Sequence, residues 1–167
     1  MPDTNAAVAF EPTAEGEAPL VLAGFLPYRF SVVAERMSQV FAERYQREFG
    51  LSIPEWRVMA VLGERAPRAT QEVIEATEMD RVKVSRAVIR LADKALVARR
   101  PHPGDQRAQM LSLTRRGLGI YRRIVPLARS LHAELAASLQ PEELQALDRI
   151  LTKLYANTGA IVSPPGA

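Results

Sequence analysis

The chain has 167 residues, of which 47% are hydrophobic and 25% are charged, as in an ordinary globular domain with accessory helices. It has no cysteine, which excludes disulfides, thiolate catalysis and cysteine-bound metals. Its two histidines, His102 and His132, lie far apart, and no nucleophile–base pair or phosphate-binding glycine loop is visible. We therefore expect neither an enzyme nor a protein with a cofactor or metal.

The N-terminal segment is acidic and lacks the basic region that opens a signal peptide. The longest apolar run covers residues 20–26 and is too short to span a bilayer. These features predict a cytoplasmic protein without a membrane partner.

The net charge of +3 is distributed unevenly along the chain. Residues 80–123 hold 12 of the 22 Lys and Arg residues but only three of the 19 Asp and Glu residues. A solvated helix face usually mixes both signs of charge, whereas this segment does not. The segment therefore predicts binding to a polyanion.

Apolar periodicity predicts a mainly α-helical fold. Residues 1–24 contain three prolines and no helical period, which favours a flexible tail. A first helix is expected over residues 25–50, where Gly50 ends it. Ser52 and Glu55 form a capping box for a second helix that extends to about Arg65.

Two short helices follow, with a tight turn between them. Thr70 is the expected N-cap of a helix over residues 71–77, and Asp80 the N-cap of a helix over residues 81–94. Residues 97–100 and 108–113 predict two strands joined by a turn rich in Pro and Gly. Thr114 then caps a long helix that Pro126 is expected to kink, and Pro141 opens the last helix.

The helix pair over residues 71–94 predicts a helix-turn-helix whose second helix has one apolar face and one basic face. Such a helix suits insertion into the DNA major groove, where arginine pairs with guanine, serine contacts phosphate or base, and valine meets a thymine methyl group. The residues that this interpretation selects on the helix are Arg81, Val82, Lys83, Ser85, Arg86 and Arg90.

The hairpin after the helix-turn-helix predicts a basic wing. Arg107 follows the turn, where it can enter the adjacent minor groove. Asp105 stands two residues earlier and can orient the guanidinium, and Arg99 adds charge on the first strand. Together with the basic helix, the wing favours a protein that binds double-stranded DNA.

Three motifs show that the chain resembles the MarR family of transcriptional regulators over about residues 25–157. They are Pro-Glu-Trp-Arg-Val-Met at 54–59, Met-Asp-Arg-Val-Lys-Val-Ser-Arg at 79–86, and Asp-Gln-Arg at 105–107 followed by Leu-Thr-Arg-Arg-Gly at 113–117. The resemblance implies a winged helix-turn-helix homodimer that represses transcription on a pseudo-palindromic operator and is released by a small anionic, often aromatic, ligand. One departure is Ala95, which stands where such proteins commonly have a glycine in a left-handed turn.

The expected organisation has five parts. A tail over residues 1–24 precedes a dimerisation helix over 25–50, a winged helix-turn-helix domain over 51–113, dimerisation helices over 114–157 and a tail over 158–167. The long apolar stripes on the outer helices favour the dimer, because a small winged helix cannot cover them all.

Arg29 and Arg36 are candidate effector-binding residues. They lie seven positions apart on one side of the first helix, and neither has an acidic residue three or four positions away. Phe30, Met37 and Trp56 can supply an apolar wall for an aromatic acid or its thioester. The alternative is that both arginines pair with acidic residues of a second chain, such as Glu134 or Asp148.

Two other functions remain open from the sequence. One is a constitutive DNA-binding regulator that has no effector. The other is a winged-helix module that binds protein rather than DNA, which the segregation of basic charge disfavours.

Overall fold

The structure, a computed structural model, describes residues 19–162, except for the side chains of residues 106, 107 and 159–162. The remaining parts of both predicted tails lie outside this range. The chain divides into two compact units, the first ending at Tyr121 and the second beginning at Arg122. A 3₁₀ turn at Leu22–Gly24 precedes six helices and three strands within the described range: α1 (Leu26–Phe49), α2 (Ile53–Glu64), β1 (Arg68–Ala69), α3 (Thr70–Thr77), α4 (Arg81–Asp93), β2 (Val97–His102), β3 (Asp105–Leu113), α5 (Arg115–Ala136) and α6 (Pro141–Val162).

The predicted fold class, mainly α with a small β wing, is confirmed. The sheet is antiparallel, with the order β1-β3-β2. The hairpin of β2 and β3 was expected, whereas β1 was not, because two residues are too few to give a periodic signal. Arg68 pairs with Leu111 and Ala69 with Met110, so β1 anchors the base of the wing.

The core of the first unit lies where α4 packs on α2. The predicted stripe of α4, formed by Val84, Ala87, Val88 and Leu91, is buried as expected. Facing elements contribute further buried side chains, namely Val58, Met59, Leu62, Val73, Leu96 and Leu111. This burial fixes which side of α4 remains exposed.

Three of the four predicted N-caps are confirmed. Ser52 and Glu55 form the capping box, in which the Ser52 backbone N–H donates to Glu55 Oε2 at 2.7 Å. Asp80 Oδ1 accepts from the Lys83 backbone N–H at 2.8 Å, and Thr114 Oγ1 accepts from the Gly117 backbone N–H at 2.9 Å.

The predicted cap at Thr70 is wrong. Helix α3 already includes Thr70, and Ala69 occupies the cap position, where its backbone N–H donates to Glu72 Oε2 at 2.6 Å. The Thr70 hydroxyl instead donates to the Gln109 carbonyl oxygen on β3 at 3.2 Å. The hydroxyl is drawn away from its own helix by a partner 39 residues away, which local sequence rules do not consider.

Ala95 adopts the left-handed conformation expected at this position, with φ of 56°. The Leu96 backbone N–H donates to the Leu91 carbonyl oxygen at 2.8 Å, which closes the end of α4. The Ala95 carbonyl oxygen in turn accepts from Thr114 Oγ1 at 2.8 Å. The turn is therefore held on both sides, which offsets the cost of about 1 kcal/mol that a Cβ brings to this conformation.

Helix α5 begins in the first unit and ends in the second. It continues through Pro126 as one helix. In the described part of the chain, no helix is both long and apolar enough to cross a membrane.

The glycine at the start of α5 is required by a close approach of the backbone. A Cβ at Gly117 would overlap the Leu96 carbonyl oxygen, whereas a Cβ at Gly119 would meet nothing within 4 Å. We expect Gly117→Ala to lower the free energy of unfolding by about 3 kcal/mol or more. Gly119→Ala, the matched control, should raise it by about 0.5–1 kcal/mol because alanine is the better helix former. Urea denaturation of both variants tests this prediction. Equal stabilities of the two variants would contradict the close approach of Gly117 to Leu96.

Candidate nucleic-acid interface

The side of α4 opposite its buried stripe is open to solvent. All six residues that the sequence selected on this helix are exposed there: Arg81, Val82, Lys83, Ser85, Arg86 and Arg90. Ile89, which the sequence analysis did not select, is also exposed and lies seven residues after Val82 on the same face. The face therefore combines cationic and apolar side chains, as major-groove readout requires.

Two of the cations occupy the first turn of α4. Arg81 and Lys83 stand at the positive end of the helix dipole, where basic side chains are unfavourable unless an anion lies nearby. Asp80 offsets part of this charge, since its Oδ2 lies 3.2 Å from Lys83 Nζ. Hydrogen bonds from the Lys83 backbone and side chain lower the pKa of the Asp80 carboxyl, which is therefore ionised at neutral pH. This end of α4 is suited to a phosphate.

A chain of hydrogen bonds orients Arg81 along the helix-turn-helix. Arg81 Nη2 donates to Gln71 Oε1 at 3.0 Å, and Gln71 Nε2 donates to Glu75 Oε1 at 2.9 Å. Gln71 was missed by the sequence analysis because its partner lies ten residues away, on the other helix. The guanidinium of Arg81 is thereby oriented before any ligand binds.

Arg86 and Arg90 differ from Arg81. Within the described residues, neither guanidinium has a hydrogen bond or an ion pair, and both side chains are exposed. Long cationic side chains without internal partners keep all their donors available for an external acceptor. The centre of the basic face is thus available to an external polyanion.

The structure places the wing residues on two neighbouring strands. Arg99 is exposed on β2, opposite Leu111 of β3. Asp105 is exposed at the start of β3, and Arg107 lies two residues further along that strand. The Arg107 side chain lies outside the described residues, so its expected contact with Asp105 stays a prediction.

A part-buried ion pair connects the far end of α4 to the start of α2. Lys94 Nζ donates to Glu55 Oε1 at 2.6 Å and to the Gly50 carbonyl oxygen at 2.7 Å. Burial alone would raise the pKa of the Glu55 carboxyl, but hydrogen bonds from Lys94 and Ser52 outweigh it and lower that pKa. The Glu55 carboxyl is therefore ionised at neutral pH, and the stabilisation that its hydrogen bonds provide is lost as the pH falls through the lowered pKa.

The residues predicted to bind an effector are found in two settings. Arg29, Arg36, Phe30 and Met37 are all exposed on α1. Trp56 lies instead in an aromatic cluster on α2, with its ring centroid 5.3 Å from Tyr45 and 6.2 Å from Tyr121. No hydrogen bond or ring contact joins Trp56 to either arginine among the described residues.

The same cluster contains a buried polar atom. Tyr45 is almost fully buried, and its hydroxyl has no hydrogen-bond partner within the described part of the chain. Burial raises the pKa of Tyr45 to about 12, so the phenol stays neutral at any physiological pH.

A groove of about 540 Å³ runs between α1, α2 and the start of α4. It contains Arg57 and Lys83 as well as the carboxylates of Glu35, Glu78 and Asp80. None of the five predicted effector residues lines it. The groove and the predicted effector residues are thus separate features of the first unit.

Comparison with known proteins shows which family these features resemble. Residues 49–108 match the model of the MarR family. The repressor IacR of Pseudomonas putida is 26% identical over 115 residues, which are 69% of each chain. A mutant of MarR from Escherichia coli, complexed with operator DNA, superposes with a TM-score of 0.71 at 25% identity, over 77% of this chain and 92% of that one.

A third likeness concerns the fold alone. BpsR of Bordetella bronchiseptica, whose DNA binding is regulated by 6-hydroxynicotinic acid, has a TM-score of 0.75 at 22% identity. The superposition covers 83% of this chain and 98% of that one.

An exposed basic helix within a helix-turn-helix, followed by an antiparallel wing, defines a winged helix-turn-helix protein. The match over residues 49–108 and the similar regulators show that this part of the chain resembles the MarR family of transcriptional regulators.

Arg86 and Lys83 of α4 are expected to contribute differently to DNA binding, so their substitution by alanine should have different effects. Arg86→Ala should weaken binding to a selected operator by about 1–3 kcal/mol and relax the preference at one base pair, because an unpaired arginine on the outermost face reads a base edge. Lys83→Ala should weaken binding to all DNA sequences alike. It should also reduce the slope of the logarithm of the binding constant against the logarithm of the salt concentration by about one, as loss of a phosphate contact does.

Fluorescence anisotropy with operator variants at several salt concentrations distinguishes these effects. Lys153→Ala, which removes one exposed positive charge from α6, serves as the control. If Lys83, Arg86 and Lys153 variants all bind like the wild type, α4 does not enter the groove.

Proposed function

We propose that the protein is a homodimeric repressor that binds a pseudo-palindromic operator and is released by a small anionic aromatic ligand. The observation that carries the DNA-binding part is the exposed face of α4, on which Arg86 and Arg90 have no partner among the described residues. Selection of bound fragments from random duplexes tests it. A recovered motif with two inverted half-sites about one helical turn apart is the expected result.

The wing is assigned to the minor groove beside each half-site. Arg107 and Arg99 lie on the two strands of this hairpin, and a narrow minor groove attracts arginine through its negative potential. The positions flanking the major-groove contacts should therefore prefer A·T pairs.

Arg107→Ala tests the wing. We expect operator binding to weaken by about 1–3 kcal/mol and the flanking A·T preference to disappear, while the oligomeric state is unchanged. Gln109→Ala is a control on the same strand that leaves the charge intact. Unaltered affinity of the Arg107 variant would remove this residue from the interface.

The homodimer is supported by apolar side chains that a single chain leaves exposed. On α1 these are Leu26, Phe30, Val33, Met37 and Val40, and on α6 they are Leu147, Ile150, Leu151 and Tyr155. Large apolar side chains exposed along one helix mark an interaction site in a monomer. A second copy of the chain can cover both helices with an isologous contact.

The effector is proposed to be an aromatic acid or its thioester, bound where Arg29 and Arg36 meet the apolar side of α1. Both arginines are exposed and lack a partner among the described residues, so either can pair with a carboxylate. Phe30 and Met37, exposed on the same helix, provide apolar contact area for an aromatic ring. The similar fold of BpsR, regulated by 6-hydroxynicotinic acid, gives an aromatic acid as the first compound to test.

Calorimetry of the wild type and of Arg29→Ala against aromatic acids and their thioesters tests this site. We expect Arg29→Ala to weaken the binding of any active acid by about 1.5–3 kcal/mol, the range for a hydrogen bond to a charged group. Arg47→Ala is the matched control, because Arg47 lies on the same helix at 3.9 Å from Glu48. If the acid binds both chains equally while Arg29→Ala weakens the dimer in sedimentation, the arginine is structural instead.

A further inference from the structure

We propose that Lys94 and Glu55 are positioning residues for DNA binding, which fix the angle of α4 by tying its last turn to the junction of α1 and α2. The inference rests on the proposed DNA-binding function. It gives a role to the one buried charged side chain in the described part of the chain, Glu55, which is 2% exposed.

The contact joins three helices at one ammonium group. Lys94 is the C-cap residue of α4, Gly50 is the C-cap residue of α1, and Glu55 lies in the first turn of α2. The ammonium lies 2.7 Å from the Gly50 carbonyl oxygen and 2.6 Å from Glu55 Oε1. The end of α4 is thereby attached to residues 39 and 44 positions earlier in the chain.

The acceptor carboxylate is itself held in place. Glu55 Oε2 accepts from the Ser52 backbone N–H at 2.7 Å and from Ser52 Oγ at 2.8 Å. Both of its oxygens therefore have donors, and the group cannot rotate without breaking the capping box of α2. Lys94 meets a fixed acceptor, which is what a positioning contact requires.

The other end of α4 has its own attachments. Asp80 caps the first turn, and Arg81 is bonded to Gln71 of α3. Helix α4 has 13 residues and is therefore about 20 Å long, so that a tilt of about 5° displaces one end by nearly 2 Å. Hydrogen bonds to base edges tolerate only a few tenths of an ångström. The attachment at Lys94 thus determines whether the exposed face of α4 reaches the bases in register.

Energetics favour a positioning role over a purely stabilising one. This part-buried ion pair gains little net stability, because the cost of taking the Glu55 carboxylate and part of the Lys94 ammonium out of water offsets most of their attraction. The ion pair nevertheless restricts the position of Lys94, since two of the three ammonium donors are directed at fixed oxygens. Lys94 is in addition only half exposed, unlike the cations on the open face of α4.

Glu55→Gln gives the sharpest test, because electrostatics and positioning predict opposite results. The substitution removes a negative charge, so long-range attraction to DNA alone would leave binding unchanged or make it tighter. Positioning predicts that affinity for the selected operator falls about tenfold, while affinity for unrelated duplex changes less than twofold. Fluorescence anisotropy with the operator and with the unrelated duplex measures the two affinities.

The pair is then tested as a unit. Lys94→Met in the Glu55→Gln background should weaken operator binding by less than a further twofold, because an amide has one oxygen and cannot accept from both Lys94 and the Ser52 N–H, so the attachment through residue 55 is already disrupted. This double variant also avoids leaving one charge buried alone, which can unfold the Lys94→Met variant. Lys153→Met, with the same loss of charge on α6, should bind both duplexes as the wild type does.

The outcomes separate the hypotheses. If the folded Glu55→Gln chain binds the operator as tightly as the wild type, the inference is wrong even though the proposed function stands. If the double variant loses affinity equally for operator and unrelated duplex, Lys94 is a phosphate contact and not a positioning residue. A wild-type chain that selects no operator would instead overturn the proposed function together with this inference.

Discussion

The structure depends on the burial of one side of α4 against α2. Val84, Ala87, Val88 and Leu91 leave water together, and at about 25 cal/mol per Å² their removal from water contributes several kcal/mol. Because the helix is rigid, burying that stripe leaves the opposite side, with Arg86 at its centre, exposed to solvent. Packing and recognition are therefore set by the same 3.6-residue periodicity.

This constraint explains why the basic face could be predicted from the sequence alone. Apolar and basic residues alternate along α4 with a strong helical period, and Asp80 marks its beginning with a local cap. The capping box at Ser52 and the cap at Thr114 involve residues only three positions apart, so they too are visible locally. The left-handed turn at Ala95 was expected only from the resemblance to the MarR family, in which glycine is common at this position.

Features that join distant parts of the chain were not predicted. Thr70 was assigned to its own helix, whereas its hydroxyl bonds to Gln109, and Gln71 was not recognised as the partner of Arg81. The Glu55–Lys94 pair was missed for the same reason, since a lysine in a basic segment is not distinguishable by sequence from its exposed neighbours. Exposure, which separates Arg86 from Lys94, is decided by tertiary packing and not by residue type.

The hydrogen bond between Thr70 and Gln109 has a consequence for the proposed binding to DNA. Together with the pairing of Ala69 and Met110, it fastens the first turn of α3 to the strand that carries Arg107. The helix-turn-helix and the base of the wing are thus joined directly, so that α4 and the wing are held at a fixed distance from each other. In the proposed complex, a duplex that binds both α4 and the wing must present a major groove and a neighbouring minor groove at that spacing. Base steps that no side chain touches can then be discriminated by what it costs to bring the grooves to that width.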